Sequence, residues 1–179
     1  MKNIVAIIGS ASANSSNHTL INYIKQQVKT ELNITIYDSL KELPHFDPIL
    51  TDENTPIEIT NFRELILKAD GVLISTPEYI FSIPSGLKNA LEWCVSSPTF
   101  MHKPLGIITA SANGEKGHEE LQLIMQTLMA VLNSDTTLLI RGAKGKTNMP
   151  NEVTDTQTKE ALDAFISSFI ELINTNQKQ

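Results

Sequence analysis

The stretch Lys2-Asn3-Ile4-Val5-Ala6-Ile7-Ile8-Gly9-Ser10-Ala11-Ser12-Ala13-Asn14-Ser15-Ser16-Asn17 decides the fold class. An unbroken apolar run, Ile4 to Ile8, meets a glycine and then a series of hydroxyl and amide side chains. Beyond them Leu20, Ile21, Ile24 and Val28 recur at helical spacing, and the helix is predicted to begin near His18. An apolar run without in/out alternation is the pattern of a strand covered on both faces. Strand, glycine turn and helix in that order open a parallel βαβ unit.

The same alternation continues outward through the chain. Strands are predicted at residues 3–8, 34–37, 71–76, 105–110 and 137–140, four of them as continuous apolar runs. Between them, helical spacing is carried by residues near 59–68, by Leu87, Ala90, Leu91 and Cys94, and by Leu121, Ile124, Met125, Leu128 and Leu132. Leu162, Phe165, Ile166, Phe169 and Ile173 close the chain as a last helix, after which the tail is expected to fray. Residues 38–56, with Pro44, Pro48 and Pro56, read as one long surface connection. With no repeat and no linker, the 179 residues are expected to form a single domain, 1–179. Right-handed crossovers leave two common doubly wound solutions, the Rossmann halves and the flavodoxin-like order 2-1-3-4-5. Both place ligands beyond the carboxyl ends of the strands.

Composition narrows the function. A net charge of −6 argues against nucleic acid and anionic membranes, whose affinity comes from clustered Lys and Arg. The single cysteine, Cys94, excludes an internal disulfide and any multi-cysteine zinc site, which fits a cytoplasmic protein. No run approaches the roughly 18 apolar residues of a membrane span, and no lipidation signal is seen.

The loop from Gly9 to Asn17 lacks G-x-G-x-x-G, so the dinucleotide fingerprint is missing. It holds four serines and two asparagines at a helix N-terminus, where hydroxyls, amides and the helix dipole form a cradle for a phosphate. A helix cap alone would need one or two of them. On this reading, replacing Ser15 and Asn17 together by alanine should remove ligand binding while the fold survives. The loop after strand three, from Thr76 to Gly86, carries Tyr79, Ile80, Phe81 and Ile83 between two prolines, suited either to a flat apolar ligand or to core and interface packing. After strand four, the segment from Ser111 to His118 supplies two glycines and several donors.

Together the loop from Gly9 to Asn17, the segment Thr76-Pro77-Glu78-Tyr79…Ser82-Ile83-Pro84-Ser85-Gly86-Leu87-Lys88-Asn89-Ala90-Leu91-Glu92-Trp93 and the glycines after strand four resemble the NADPH-dependent FMN reductase family, over nearly the whole chain. The resemblance implies an α/β, flavodoxin-like, three-layer doubly wound fold with a five-stranded parallel sheet of order 2-1-3-4-5, holding FMN. It implies that Ser10, Ser12, Ser15, Ser16 and Asn17 bind the FMN phosphate. Pro77, Glu78, Tyr79 and Ile80 would line the isoalloxazine ring, and Ser111, Asn113 and Gly114 would approach its other edge or the ribityl chain. It further implies NADPH or NADH as hydride donor, a quinone, azo compound or free flavin as small-molecule acceptor, and a homodimer or homotetramer through the helix from Ser85 to Val95. The cofactor carries that chemistry, so no catalytic side chain and no metal site is expected. Two positions depart from the family pattern: Ser12 stands where Arg is frequent, and Ile80 where Asn is frequent. Losing the Arg removes charge-assisted bonds worth about 1.5–3 kcal/mol each.

Other signals carry less. Gly142-Ala143-Lys144-Gly145-Lys146-Thr147 lacks the earlier glycine of a phosphate-binding P-loop, and no G-x-S-x-G elbow exists. His18, His45, His102 and His118 lack ligand spacing, and Cys94 reads as a buried small hydrophobe. Two competing readings are an electron carrier that holds FMN without nicotinamide turnover and a flavin-free interaction domain.

Overall fold

A computed structural model describes residues 1–12, 14–50, 54–148 and 152–176. Five parallel strands, β1 (Lys2–Ile8), β2 (Leu32–Tyr37), β3 (Gly71–Thr76), β4 (Leu105–Ser111) and β5 (Thr137–Arg141), form one sheet in the order β2-β1-β3-β4-β5. This is the doubly wound flavodoxin-like order. Ile4 pairs with Ile34 on one side and Gly71 on the other, which aligns the carboxyl ends of the first three strands.

Why the strands are apolar throughout is visible in where alternate residues go. Val5, Ile7, Val72, Ile74, Leu105 and Ile107 belong to one core, and Ile4, Ala6, Ile8, Leu73, Ile108 and Ala110 to the other. The first core packs α2 (Ile57–Leu67), α3 (Ser85–Glu92) and α4 (Glu115–Thr127). The second packs α1 (Ser16–Gln27) and α5 (Thr156–Asn176). Both faces of the central strands are covered, so β3 is buried throughout and β1 and β4 nearly so, while the edge strands β2 and β5 keep exposed positions.

Several boundaries differ from expectation, each for a local reason. Helix α1 starts at Ser16, because the Ser15 side chain accepts from the His18 amide at 3.2 Å and caps it. Helix α4 begins at Glu115 and ends at Thr127, so Leu128 and Leu132 lie beyond it. Met129 adopts a φ of +61°, and the chain then runs beside β4, where Leu105 N–H donates to Val131 O at 2.8 Å. Leu128 and Leu132 still pack on the first core, which preserves their helix-like spacing. Helix α5 starts earlier than its apolar marks, at Thr156, where the Asp155 carboxylate accepts from Thr158 N–H at 2.9 Å and Thr158 Oγ at 2.6 Å. Those bonds hold the Asp155 carboxyl below its ordinary value. A short antiparallel pair, β6 (Thr147–Asn148) and β7 (Glu152–Val153), had no sequence signal. Residues 51–53 of the long 38–56 connection, and the last three residues of the tail, lie outside the described residues. No described helix is long and apolar enough to cross a membrane.

Candidate active site

At the carboxyl end of β1, Gly9 lies so close to β3 that a Cβ there would sit 2.3 Å from Thr76 Oγ1 and 2.7 Å from Thr76 Cβ. The glycine lets the β1–α1 loop cross the end of the sheet, fixed by Gly9 N–H to Ser75 O at 2.8 Å. Beyond it the hydroxyls divide. Ser10 and Ser12 line a cavity of about 750 Å³, a size typical of small-molecule and cofactor sites. Ser15 is the helix cap. Ser16 Oγ turns to Thr147 Oγ1 at 2.8 Å and Ala143 O at 3.5 Å, joining α1 to the connection after β5.

Asn17 needs a correction. It is only 3% exposed, and its side chain donates to Ala110 O at 3.1 Å and accepts from Ser75 Oγ at 3.0 Å. Its amide group therefore ties α1 to β3 and β4 and is not available to a ligand. The joint Ser15 and Asn17 substitution would strike the fold as well as the loop. What remains for an anion is the pair of Ser10 and Ser12 hydroxyls, which line the cavity, beside the N-terminus of α1, which has no acidic residue in its first turn and meets the cavity at His18. Such a set fits the phosphate end of FMN. Substituting Gly9→Ala is expected to cost about 1–3 kcal/mol by overpacking against Thr76, and to weaken FMN binding at least tenfold in a fluorescence titration.

Tyr79 lines the same cavity as Ser10 and Ser12. One wall is the segment 38–46 with Asp38, Glu42, His45 and Phe46, and joined to it are Lys88, Asn89 and Glu92 of α3. This wall carries no periodic signal in the sequence, although the L-K-N-A-L-E-W run contains its anchors. Asn89 Oδ1 accepts from Phe46 N–H at 2.7 Å, its Nδ2 donates to Pro44 O at 3.0 Å, and Trp93 Nε1 donates to the same carbonyl at 2.8 Å. The Phe46 ring meets Trp93 edge-on at 5.2 Å. The Trp93 carbonyl in turn accepts from the Arg63 guanidinium.

Of the ring-side residues, only Tyr79 lines this cavity; Pro77, Glu78, Ile80, Ser111, Asn113 and Gly114 do not. Glu78 has a different task. Its two carboxylate oxygens accept from Gly114 N–H at 3.3 Å and Gly117 N–H at 2.8 Å, capping α4 from across the fold. Gly114, at φ +90°, offers no side chain for that cap. A Cβ at Gly117 would come within 3.3 Å of Glu78 and of Ser82 O, so the glycine permits the approach. Ser111 Oγ donates to Glu78 O at 3.4 Å, and Asn113 is exposed.

Between these contacts the chain makes a two-residue turn. Tyr79 N–H donates to Ser82 O at 2.9 Å and Ser82 N–H to Tyr79 O at 3.1 Å, with Ile80 at φ +51° and Phe81 at +59°. Left-handed conformations of non-glycine residues cost about 1–3 kcal/mol each. Here they place two apolar side chains in solvent, Ile80 94% and Phe81 74% exposed.

His118, on the first turns of α4, holds Thr109 Oγ1 at 2.8 Å through Nδ1. Burial, and then the Arg141 charge, keep its imidazole below the ordinary value of 6.5. The unfolded chain thus binds this proton more readily, so the stability linked to His118 is present above that ordinary value and is lost as pH falls through the folded one. Thermal unfolding midpoints measured on either side of it should fall towards acid in the wild type and fall less in His118→Gln. Cys94 is buried, and burial pushes its thiol up to about 12, which makes it inert. Among the described residues no group of three or more His, Cys, Asp or Glu could hold a metal.

Hydroxyls beside a helix N-terminus, a cofactor-sized cavity and a tyrosine-bearing turn at the carboxyl edge of a five-stranded parallel sheet are the arrangement of a flavodoxin-like ligand site. The pattern of the family described as NADPH-dependent FMN reductase matches residues 2–143, and the chain belongs to that family. It is 29% identical over 175 residues to the NADH:(hydroxy)cinnamate reductase subunit CrdA of Vibrio ruber, covering 94% of this chain and 85% of that one. It is 28% identical over 177 residues to a quinone reductase of Escherichia coli strain K12, covering 95% and 94%. In fold it is similar to FerB, a flavoenzyme NAD(P)H:(acceptor) oxidoreductase of Paracoccus denitrificans, with a TM-score of 0.86 at 24% identity over 98% of this chain and 99% of that one.

Proposed function

We propose that this enzyme takes hydride from NADH or NADPH and delivers it, through FMN in the 750 Å³ cavity, to a quinone, an azo compound or free flavin. One observation carries the reading: a single cofactor-sized cavity is lined both by the Ser10 and Ser12 hydroxyls of the β1–α1 loop and by Tyr79, on a turn closed by two backbone hydrogen bonds. Bound FMN would supply reversible two-electron chemistry between a nicotinamide and an acceptor. The chain's own residues bind and orient. Ser10, Ser12 and the α1 amides hold the phosphate, Ser15 and Ser16 set the start of α1, and Asn17 fixes that start to the sheet. Tyr79 faces the ring and Pro77 stiffens the approach to its turn, while the Glu78 carboxylate, Ser111 and Gly114 fix that turn to α4; Ile80 and Asn113 stand at the exposed edge. The wall 38–46, pinned by Asn89 and Trp93, narrows the cavity and limits water.

The same proposal has the chain act as a single domain in the cytoplasm, as a homo-oligomer through the helix region from Ser85 to Val95. Exposed Val95, just beyond the end of α3 at Glu92, supports an apolar contact there. The test is direct. Purified protein titrated with FMN should quench flavin fluorescence at one site per chain and then catalyse nicotinamide-dependent reduction of a benzoquinone. Binding without such turnover would favour an electron carrier, and no binding would favour an interaction domain.

A further inference from the structure

The turn at Ile80 and Phe81 is closed from its far side by a carboxylate to which the flavin reading gives no role. We propose that Glu120 of α4 is a positioning residue for the flavin: by accepting from Ser82 Oγ and Ile83 N–H it keeps Ile80 and Phe81 left-handed and so fixes Tyr79 at the cavity. The inference rests on the reading that FMN lies along Tyr79.

The contacts are selective. One carboxylate oxygen of Glu120 takes both donors, at 2.6 Å from Ser82 Oγ and 3.0 Å from Ile83 N, while the other faces Lys88 Nζ at 3.8 Å. Both donors lie immediately after the left-handed pair, where the turn would relax if released. Ile80 and Phe81 give no burial in return, since their side chains stand in solvent. A β-branched residue at positive φ without packing keeps that geometry only while its neighbours impose it. Glu78 holds the leading end of the turn on the Gly114 and Gly117 amides, and Glu120 holds the trailing end. The Tyr79–Ser82 backbone pair closes the turn from within, and the two carboxylates tie it to α4 from both ends, Glu120 at the trailing end.

The test compares wild type with Glu120→Ala, Glu120→Gln and Ser82→Ala. Glutamine keeps an oxygen able to accept from both donors and loses only the ion pair with Lys88. Amide exchange at Ser82 and Ile83 in protein without added FMN reads the turn; FMN affinity, visible circular dichroism and flavin midpoint potential read the cofactor. Glu120→Ala is expected to speed that exchange at least tenfold, weaken FMN at least tenfold and change the dichroism and potential. Glu120→Gln should stay within twofold of wild type in both exchange and affinity. Ser82→Ala, which leaves α4 intact, should move the same readouts in the same direction by less, and serves if Glu120→Ala folds poorly. Faster exchange with unchanged flavin affinity and spectrum overturns the proposal, as does unchanged exchange. Wild type that takes up no FMN overturns the cofactor reading itself, and this proposal with it.

Discussion

Trp93→Ala should lower the free energy of unfolding by about 3–5 kcal/mol, the range for removing a large aromatic from a core. Trp93 is fully buried in the core beneath α3, and the loss has three components. The indole volume empties among side chains that cannot all collapse into it. Its N–H no longer donates to Pro44 O, leaving that carbonyl with Asn89 alone. The edge-on contact with Phe46 also disappears, which leaves the buried Leu40 and Leu43 as the apolar anchors of the 38–46 wall. FMN affinity should therefore fall together with stability, which a surface substitution of similar size would not do. Urea unfolding of the variant measures the first effect, and flavin titration below the transition measures the second. A loss under about 1 kcal/mol would mean that the site collapses around the smaller side chain.

Asn17→Ala is expected to cost about 2–5 kcal/mol, because it orphans two buried partners, each worth about 1–3 kcal/mol when left unpaired. Those partners are Ser75 Oγ on β3 and Ala110 O on β4. Ser15→Ala, by contrast, removes only a helix cap, worth about 1 kcal/mol. Chemical denaturation of the two single variants separates these roles. Equal, small losses would show that Asn17 is not the strut its hydrogen bonds describe.

The contrast between these two residues shows what the sequence made legible. Strand positions and their parallel pairing followed from apolar runs, because burial on both faces of the central strands favours apolar side chains, whereas the order 2-1-3-4-5 was implied by the family resemblance. The β1–α1 loop was recognisable from its hydroxyls and glycine. Which hydroxyl or amide faces a ligand was not, because Ser16 and Asn17 find partners on β3, β4 and the connection after β5, more than 50 positions away. The start of α4 was hidden for a similar reason. Its first turn, Glu115-Lys116-Gly117-His118, has no apolar period, and its cap is the carboxylate of Glu78, contributed from the β3–α3 turn. The wall 38–46 read as an unpatterned proline-bearing connection, since its order comes from Asn89 and Trp93 on another element. The left-handed state of Ile80 runs against its own preference and is imposed by tertiary contacts.

The negative charge of the chain also takes a more limited meaning. It excludes broad attraction to polyanions but leaves room for one phosphate at a helix N-terminus, held by local donors. The central claim is that this cavity holds a working flavin. Anaerobic addition of NADH, and separately of NADPH, to the FMN-loaded protein should bleach the flavin's visible absorbance within the turnover time, and a quinone added afterwards should restore it. Bound FMN that neither nicotinamide bleaches would contradict the account.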